Sequence, residues 1–262
     1  MELVTGFTIA PGATITGLTA ASGNTFQIRN AKLEAQVWLL NVWADAQAAG
    51  ILRLRSPRLH DNVQGIRVRT TISEVEPYLP WSFPQKLISQ DTLAFELSGS
   101  AVGGDIESAS FLALYEDLPG VEARYISYDE LKGRMRNVIP VEVSNVAGLT
   151  GGYSGEVALN SSFDLLKANT DYALLGYQVS GECCSVGIRG VDSGNLRIGG
   201  PGNDVLKHLT GNWFVNLSRK LGRDLVPVFN SANKAGILCD VVNDENALTA
   251  VVNWIFAELG VS

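Results

Sequence analysis

Apolar and polar positions alternate in short runs along most of the chain, and small or glycine-rich turns separate the runs. Thr25 to Ile28 alternates. Leu33 to Val42 and Ile51 to Arg55 follow, joined by the small-residue turn Ala46 to Gly50. In the second half, Tyr172 to Val179 and Ser185 to Arg189 repeat this hairpin across Ser180-Gly181-Glu182. A side-chain period of two, with turns at short spacing, predicts antiparallel strands in a sandwich or barrel. The alanine content of Leu33 to Ala49 also suits a helix. Its counterpart at Tyr172 to Val179 reads as strand, and this assigns it to strand.

Two helices interrupt the β pattern. Ser127 to Met135 opens on Ser127 with Glu130 three residues on, the pattern of a capping box. Asp204 to Leu221 places Leu209, Trp213, Leu217 and Leu221 four residues apart, with Leu206 and Phe214 beside them. That is one apolar stripe along a helix. Asn203 is placed to cap its start and Gly222 to end it, and Arg219 and Lys220 suit the negative end of its dipole.

The halves of the chain echo each other. Gly17-Leu18-Thr19 with Ser22-Gly23 returns as Gly148-Leu149-Thr150 with Ser154-Gly155. Pro84 precedes the strand-like Thr92 to Leu97, and Pro227 precedes Gly236 to Val241. Each half closes on an apolar run, Phe111 to Leu118 and Trp254 to Leu259. The second member of each pair trails the first by about 130–145 residues, far beyond a solenoid period. Two similar domains are expected, 1–118 and 140–262. A linker at 119–139 carries the short helix. The expected fold class is all-β: two tandem eight-stranded sandwiches, the second with the longer helix.

With 262 residues, 46% hydrophobic and 18% charged, the chain is long enough and apolar enough for two packed cores. Its net charge of −7 disfavours general nucleic-acid binding, since an acidic surface repels phosphates. Met1 to Phe7 has neither the basic nor the continuous apolar region of a signal peptide, and no stretch is apolar enough to span a membrane. Cys183, Cys184 and Cys239 are expected to be buried thiols in a reducing compartment.

The candidate chemistry reduces to bland alternatives. His60 and His208 are too isolated for a cupin-type metal cluster. Gly151 to Gly155 has the wrong spacing for a nucleophile elbow and reads as a turn. Gly199 to Gly202 reads as a helix-entry turn, because no lysine follows and Pro201 lacks an N–H. Glu74 and Glu76 read as a solvated edge. Trp38, Trp43, Trp213 and Trp254 sit in apolar patterns and are assigned to core or interface. The sequon-like Asn160 and Asn216 are chance matches. No catalytic residue, cofactor or metal ligand is expected.

The repeated Gly-Leu-Thr, the paired Pro84 and Pro227, the twin closing strands and the long connection from Asn203 to Gly222 together resemble the double jelly-roll major capsid proteins of tailless viruses with internal membranes. That resemblance implies a non-enzymatic shell protein in a virion, made in the host cytoplasm. It implies homotrimers of pseudo-hexagonal outline that tile an icosahedral shell, with minor capsid proteins as further candidate partners and no direct nucleic-acid contact. Leu209, Trp213, Leu217, Leu221, Pro84 and Pro227 are the structural or interface candidates. The alternative is a carbohydrate- or receptor-binding β-sandwich of a tail or spike. A two-domain cupin-like enzyme comes third.

Overall fold

The computed structural model describes residues 1–29, 36–59, 63–70, 84–118, 120–146, 151–161, 164–181, 183–202, 210–242 and 249–260. The first half contains β1 (Glu2–Ile9), β2 (Thr16–Gly17), β3 (Thr19–Ala20), β4 (Val37–Asp45), β5 (Gly50–Arg55), β6 (Ile66–Thr70), β7 (Gln85–Leu87), β8 (Ala94–Ser98) and β9 (Ile106–Tyr115). They form two antiparallel sheets, ordered β3-β1-β9-β4-β7 and β2-β8-β5-β6. β2 and β3 flank Leu18 and are one strand position shared between the two sheets. With that pair counted once, one sheet holds the first, eighth, third and sixth strands. The other holds the second, seventh, fourth and fifth. This is the jelly-roll order.

The second half contains β10 (Tyr125–Ile126), α1 (Tyr128–Arg134), β11 (Met135–Val146), β12 (Val157–Ala158), β13 (Asp171–Ser180), β14 (Ser185–Arg189), β15 (Ile198–Pro201), α2 (Trp213–Leu221), β16 (Val226–Asn230), β17 (Leu238–Val242) and β18 (Thr249–Leu259). Its sheets run β10-β16-β13-β18-β11 and β12-β17-β14-β15. From β11 onward this is the same jelly-roll order, with β10 added at one edge. The chain is therefore all-β with two tandem jelly rolls. Pro84 directly precedes β7, and Pro227 is the second residue of β16; these are the sixth strands of the two units.

A shared irregularity strengthens the equivalence. The third strand of each unit slips register against the eighth, between Leu39 and Asn41 in β4 and between Leu174 and Gly176 in β13. A one-residue bulge exchanges the faces beyond it. Thus Val37, Leu39, Val42 and Ala44 point into the first core, while Leu40 and Trp43 point out of it. The first core is centred on Phe95, whose ring meets Phe26 and Phe111 edge-on, each at 5.4 Å. The second core gathers Tyr177, Trp254, Phe256 and Ile188.

Several sequence expectations are corrected. The third and fourth strands do not form hairpins: β4 pairs with β7 and β9, and β5 pairs with β6 and β8. The turn at Ala46 carries the chain across to the opposite sheet, as its counterpart does between β13 and β14. Thr25 to Ile28 contributes only a bridge between Gln27 and Thr92. Gly199 to Pro201 is not a turn but part of β15. A Cβ on Gly199 would stand 1.9 Å from the Val186 carbonyl oxygen, so only glycine fits this strand position. β11 begins at Met135, ahead of the expected boundary at 140. Pro140 lies inside this edge strand, where a missing N–H can face away from the ladder.

Both helices have local causes. The Ser127 hydroxyl accepts from the Glu130 N–H at 3.0 Å, while the Glu130 carboxylate turns to Arg134 at 2.6 Å, so half of the capping box forms. Gly211 and Asn212 make a turn within the expected helix, and α2 runs on from Trp213. Gly222, with φ of 62°, ends it after Arg219 and Lys220. Asn203, Leu206, His208 and Leu209 lie outside the described residues, as do Glu74, Glu76, His60 and Gly148 to Thr150.

Candidate functional site

The two units meet in a seam that begins with the bulge in β4. Leu3, Leu40, Trp43, Leu112 and Leu114, on the outer face of the first unit, belong to one apolar cluster with Ile198, Trp213 and Leu217 of the second. Trp43 and Trp213 meet edge-to-face at 5.7 Å. The Trp213 Nε1–H donates to the Gly199 carbonyl at 3.0 Å, and the Leu3 N–H donates to the Arg197 carbonyl at 2.7 Å. Thr5 bonds through its hydroxyl to Ser110 at 2.8 Å and to Ser185 at 3.0 Å, which satisfies polar groups that the seam buries.

At one end of the seam the Arg223 guanidinium lies 4.7 Å from the Trp38 ring centre and pairs with Glu116. Glu116 also accepts from Trp38 Nε1 at 2.8 Å. A cleft of about 600 Å³ opens here beside Tyr115, Leu118 and Tyr125. A second, polar cleft of about 710 Å³ shares Leu196 with the first and is lined by Asn24, Gln27, Arg29, Tyr153, Glu156 and Arg189 among others. Its floor is the outer face of the sheet β12-β17-β14-β15.

The charges of that floor neutralise one another. Arg197 Nε donates to both Asp240 carboxylate oxygens, at 2.9 and 2.8 Å, and its guanidinium lies 3.7 Å over the Tyr153 ring. Burial pushes the Asp240 carboxyl above its ordinary range, and Arg197 opposes the shift. Arg189 grips Glu156 with two bonds of 2.6 Å and holds that carboxyl below its ordinary range. Burial raises the Tyr153 phenol. The cleft can offer amides and hydroxyls to a polar ligand; its guanidinium groups already hold carboxylates.

Of the expected site residues, Trp213 and Leu217 are buried in the seam cluster, and Leu221 is half-buried against it. Leu209 lies outside the described residues. Pro84 and Pro227 mark the sixth strands. Trp38 was assigned to core or interface and packs at the seam, whereas Glu116, Arg223, Tyr153, Arg197 and Asp240 were not anticipated. The available signal was a single carboxylate inside an apolar strand, Asp240 between Cys239 and Val241, matched in the first unit by Glu96 between Phe95 and Leu97. Cys183, Cys184 and Cys239 are buried free thiols, and burial pushes Cys239 well up. Among the described residues no group of three His, Cys, Asp or Glu could hold a metal ion, and no helix is long and apolar enough to cross a membrane.

No family model and no curated protein matches the chain. Similar solved structures include the PBSX exported protein XepA, at 10% identity and a TM-score of 0.29, covering 96% of this chain and 85% of that one. The STIV major capsid protein is 7% identical, with a TM-score of 0.22, covering 98% and 97%. The major capsid protein P2 from bacteriophage PM2 is 8% identical, with a TM-score of 0.20, covering 97% of each chain. The fold itself is read from the strand order.

Proposed function

We propose that the chain is a major capsid protein, a structural component whose homotrimers of pseudo-hexagonal outline tile an icosahedral virion shell. One observation carries this reading: the jelly-roll order occurs twice in one chain, and the two units are locked by an apolar seam into a single building block. Three such blocks make six similar lobes under true three-fold symmetry. The work of the molecule is then assembly, not catalysis, and minor capsid proteins are its other candidate partners. Light scattering after size exclusion, followed by electron microscopy, tests it. Trimers and closed or sheet-like particles are expected. A monomer at every concentration and salt overturns it. The polar cleft favours one second reading, a saccharide-binding sandwich, which glycan-array binding lost on Gln27→Ala would support.

A further inference from the structure

The duplication presents the same sheet face twice, once covered and once not. On the second unit, Gly187 of β14 stands opposite Asp240 of β17 and Gly199 of β15. This copy is covered from within the chain: Leu3 lies 3.0 Å from the Cβ position of Gly199, and Thr5 bonds to Ser185. Its charges balance, Arg189 against Glu156 and Arg197 against Asp240. On the first unit, the equivalents of the two glycines are arginines: Arg53 of β5 stands opposite Glu96 of β8 and Arg67 of β6.

The uncovered copy does not balance. Its strands carry Arg53, Arg55, Arg67 and Arg69 but a single carboxylate, Glu96, which takes Arg53 at 2.6 Å and Arg55 at 2.7 Å. Four guanidiniums to one carboxylate leave three positive charges in excess, on a chain whose net charge is −7. Arg67 and Arg69 are exposed on the edge strand β6 and have no carboxylate partner among the described residues. Like charges directly opposed on neighbouring strands, as Arg53 and Arg67 are, destabilise a sheet unless an anion joins them.

The chain as a whole repels phosphate polymers, and this face is a local exception. Guanidinium forks onto phosphate oxygens with paired hydrogen bonds. Arg67 and Arg69 form a row along one strand, about 7 Å apart at two residues of rise, a contact that follows a linear run of phosphates. An anionic bilayer calls for clusters of about four to eight basic residues, beyond the excess here. The one aromatic residue on the strands of this face, Phe95, points into the core, so nothing here stacks on unpaired bases. We propose that the arginine face of the first unit binds nucleic acid through the phosphate backbone. Binding is without sequence preference and favours a duplex, where phosphates are denser. Contacts between chains that cover Arg67 and Arg69 exclude the polymer, so the site belongs to the unassembled chain.

The test is fluorescence anisotropy of a labelled, mixed-sequence DNA duplex, titrated with dilute protein over a salt series. Circular dichroism verifies the fold of each variant. The wild type should bind at low salt, with log affinity falling linearly in log salt. Arg67→Gln with Arg69→Gln should bind about tenfold more weakly, and its salt slope should be shallower by about 0.9 for each arginine removed. Lys132→Gln with Lys220→Gln removes the same charge from α1 and α2 and should leave affinity and slope nearly unchanged. Equal loss in the two double variants would make binding a property of net charge and overturn the proposal. So would a wild type that binds no duplex at low salt, or one that binds phosphatidylserine vesicles and not DNA. None of these outcomes touches the shell reading, which self-association tests separately.

Discussion

Trp213 is the residue on which the two units converge. Its ring fills the seam against Trp43 and its indole N–H satisfies the Gly199 carbonyl. Trp213→Ala should cost about 3–5 kcal/mol, the usual cost of emptying a large aromatic site, read by chemical denaturation. Stability retained with assembly lost would instead assign the stripe to contacts between chains. Glu96 supports a different prediction. The hydrogen bonds and charge of Arg55 and Arg53 outweigh desolvation and hold its carboxyl below the ordinary value of 4.5. A carboxyl depressed on folding contributes stability that is present above its unfolded pKa and lost as pH falls through the folded one. Thermal denaturation should therefore show the wild type losing stability below about pH 4.5, and Glu96→Gln should be less stable at neutral pH with a shallower acid fall. Glu107 has the opposite sign: burial raises its pKa, so its contribution is present at low pH and lost as pH rises through the raised value.

At the scale of elements, the strands were legible because each alternates over a core it half-covers, and the helix ends were legible through Ser127 and Gly222. The pairing of strands was not. β4 and β5 are adjacent in sequence yet lie in opposite sheets, and their partners β9 and β8 come much later in the chain. Local pattern carries no information about such non-local choices. Gly199 to Pro201 misled for a related reason, since the need for glycine comes from Val186, Leu3, Tyr177 and Trp213, none of them a sequence neighbour. The seam was hidden because a bulge inverts the alternation in the middle of β4. The bulge itself is testable. Deleting Leu40 would remove the extra residue and leave Val42 opposite Phe111 and Trp43 opposite Ser110, so both faces keep their residues and the seam loses only the Leu40 side chain. The deletion variant should fold and be destabilised by about 2–5 kcal/mol, the usual cost of emptying a buried leucine site, read by chemical denaturation. The cap is a smaller matter: Ser127→Ala should cost about 1 kcal/mol, seen as a lower denaturation midpoint.

For the whole molecule, electrostatics gives the two kinds of contact in the proposed shell opposite responses to salt. Contacts between chains within a trimer that use the exposed Arg67 and Arg69 would set cations against a chain that is acidic overall, so screening weakens them. Contacts between trimers would bring like net charges together, −7 for every chain, so screening strengthens them. The screening length falls from about 10 Å at 0.1 M salt to about 3 Å at 1 M, which spans the range over which both effects act. The seam within each chain is apolar and hydrogen-bonded, and salt leaves it intact; the building block itself should unfold at a nearly constant midpoint across this range. Assembly should therefore follow a peaked curve. Trimers with few particles are expected at low ionic strength, particles or flat hexagonal arrays in the middle, and fewer at the highest salt as the trimers loosen. Light scattering over a salt series, with microscopy at each step, reads the curve directly. A particle yield that only falls with added salt would show that attraction between opposite charges governs the trimer–trimer contact as well, and would place the acidic surplus of the chain away from that interface.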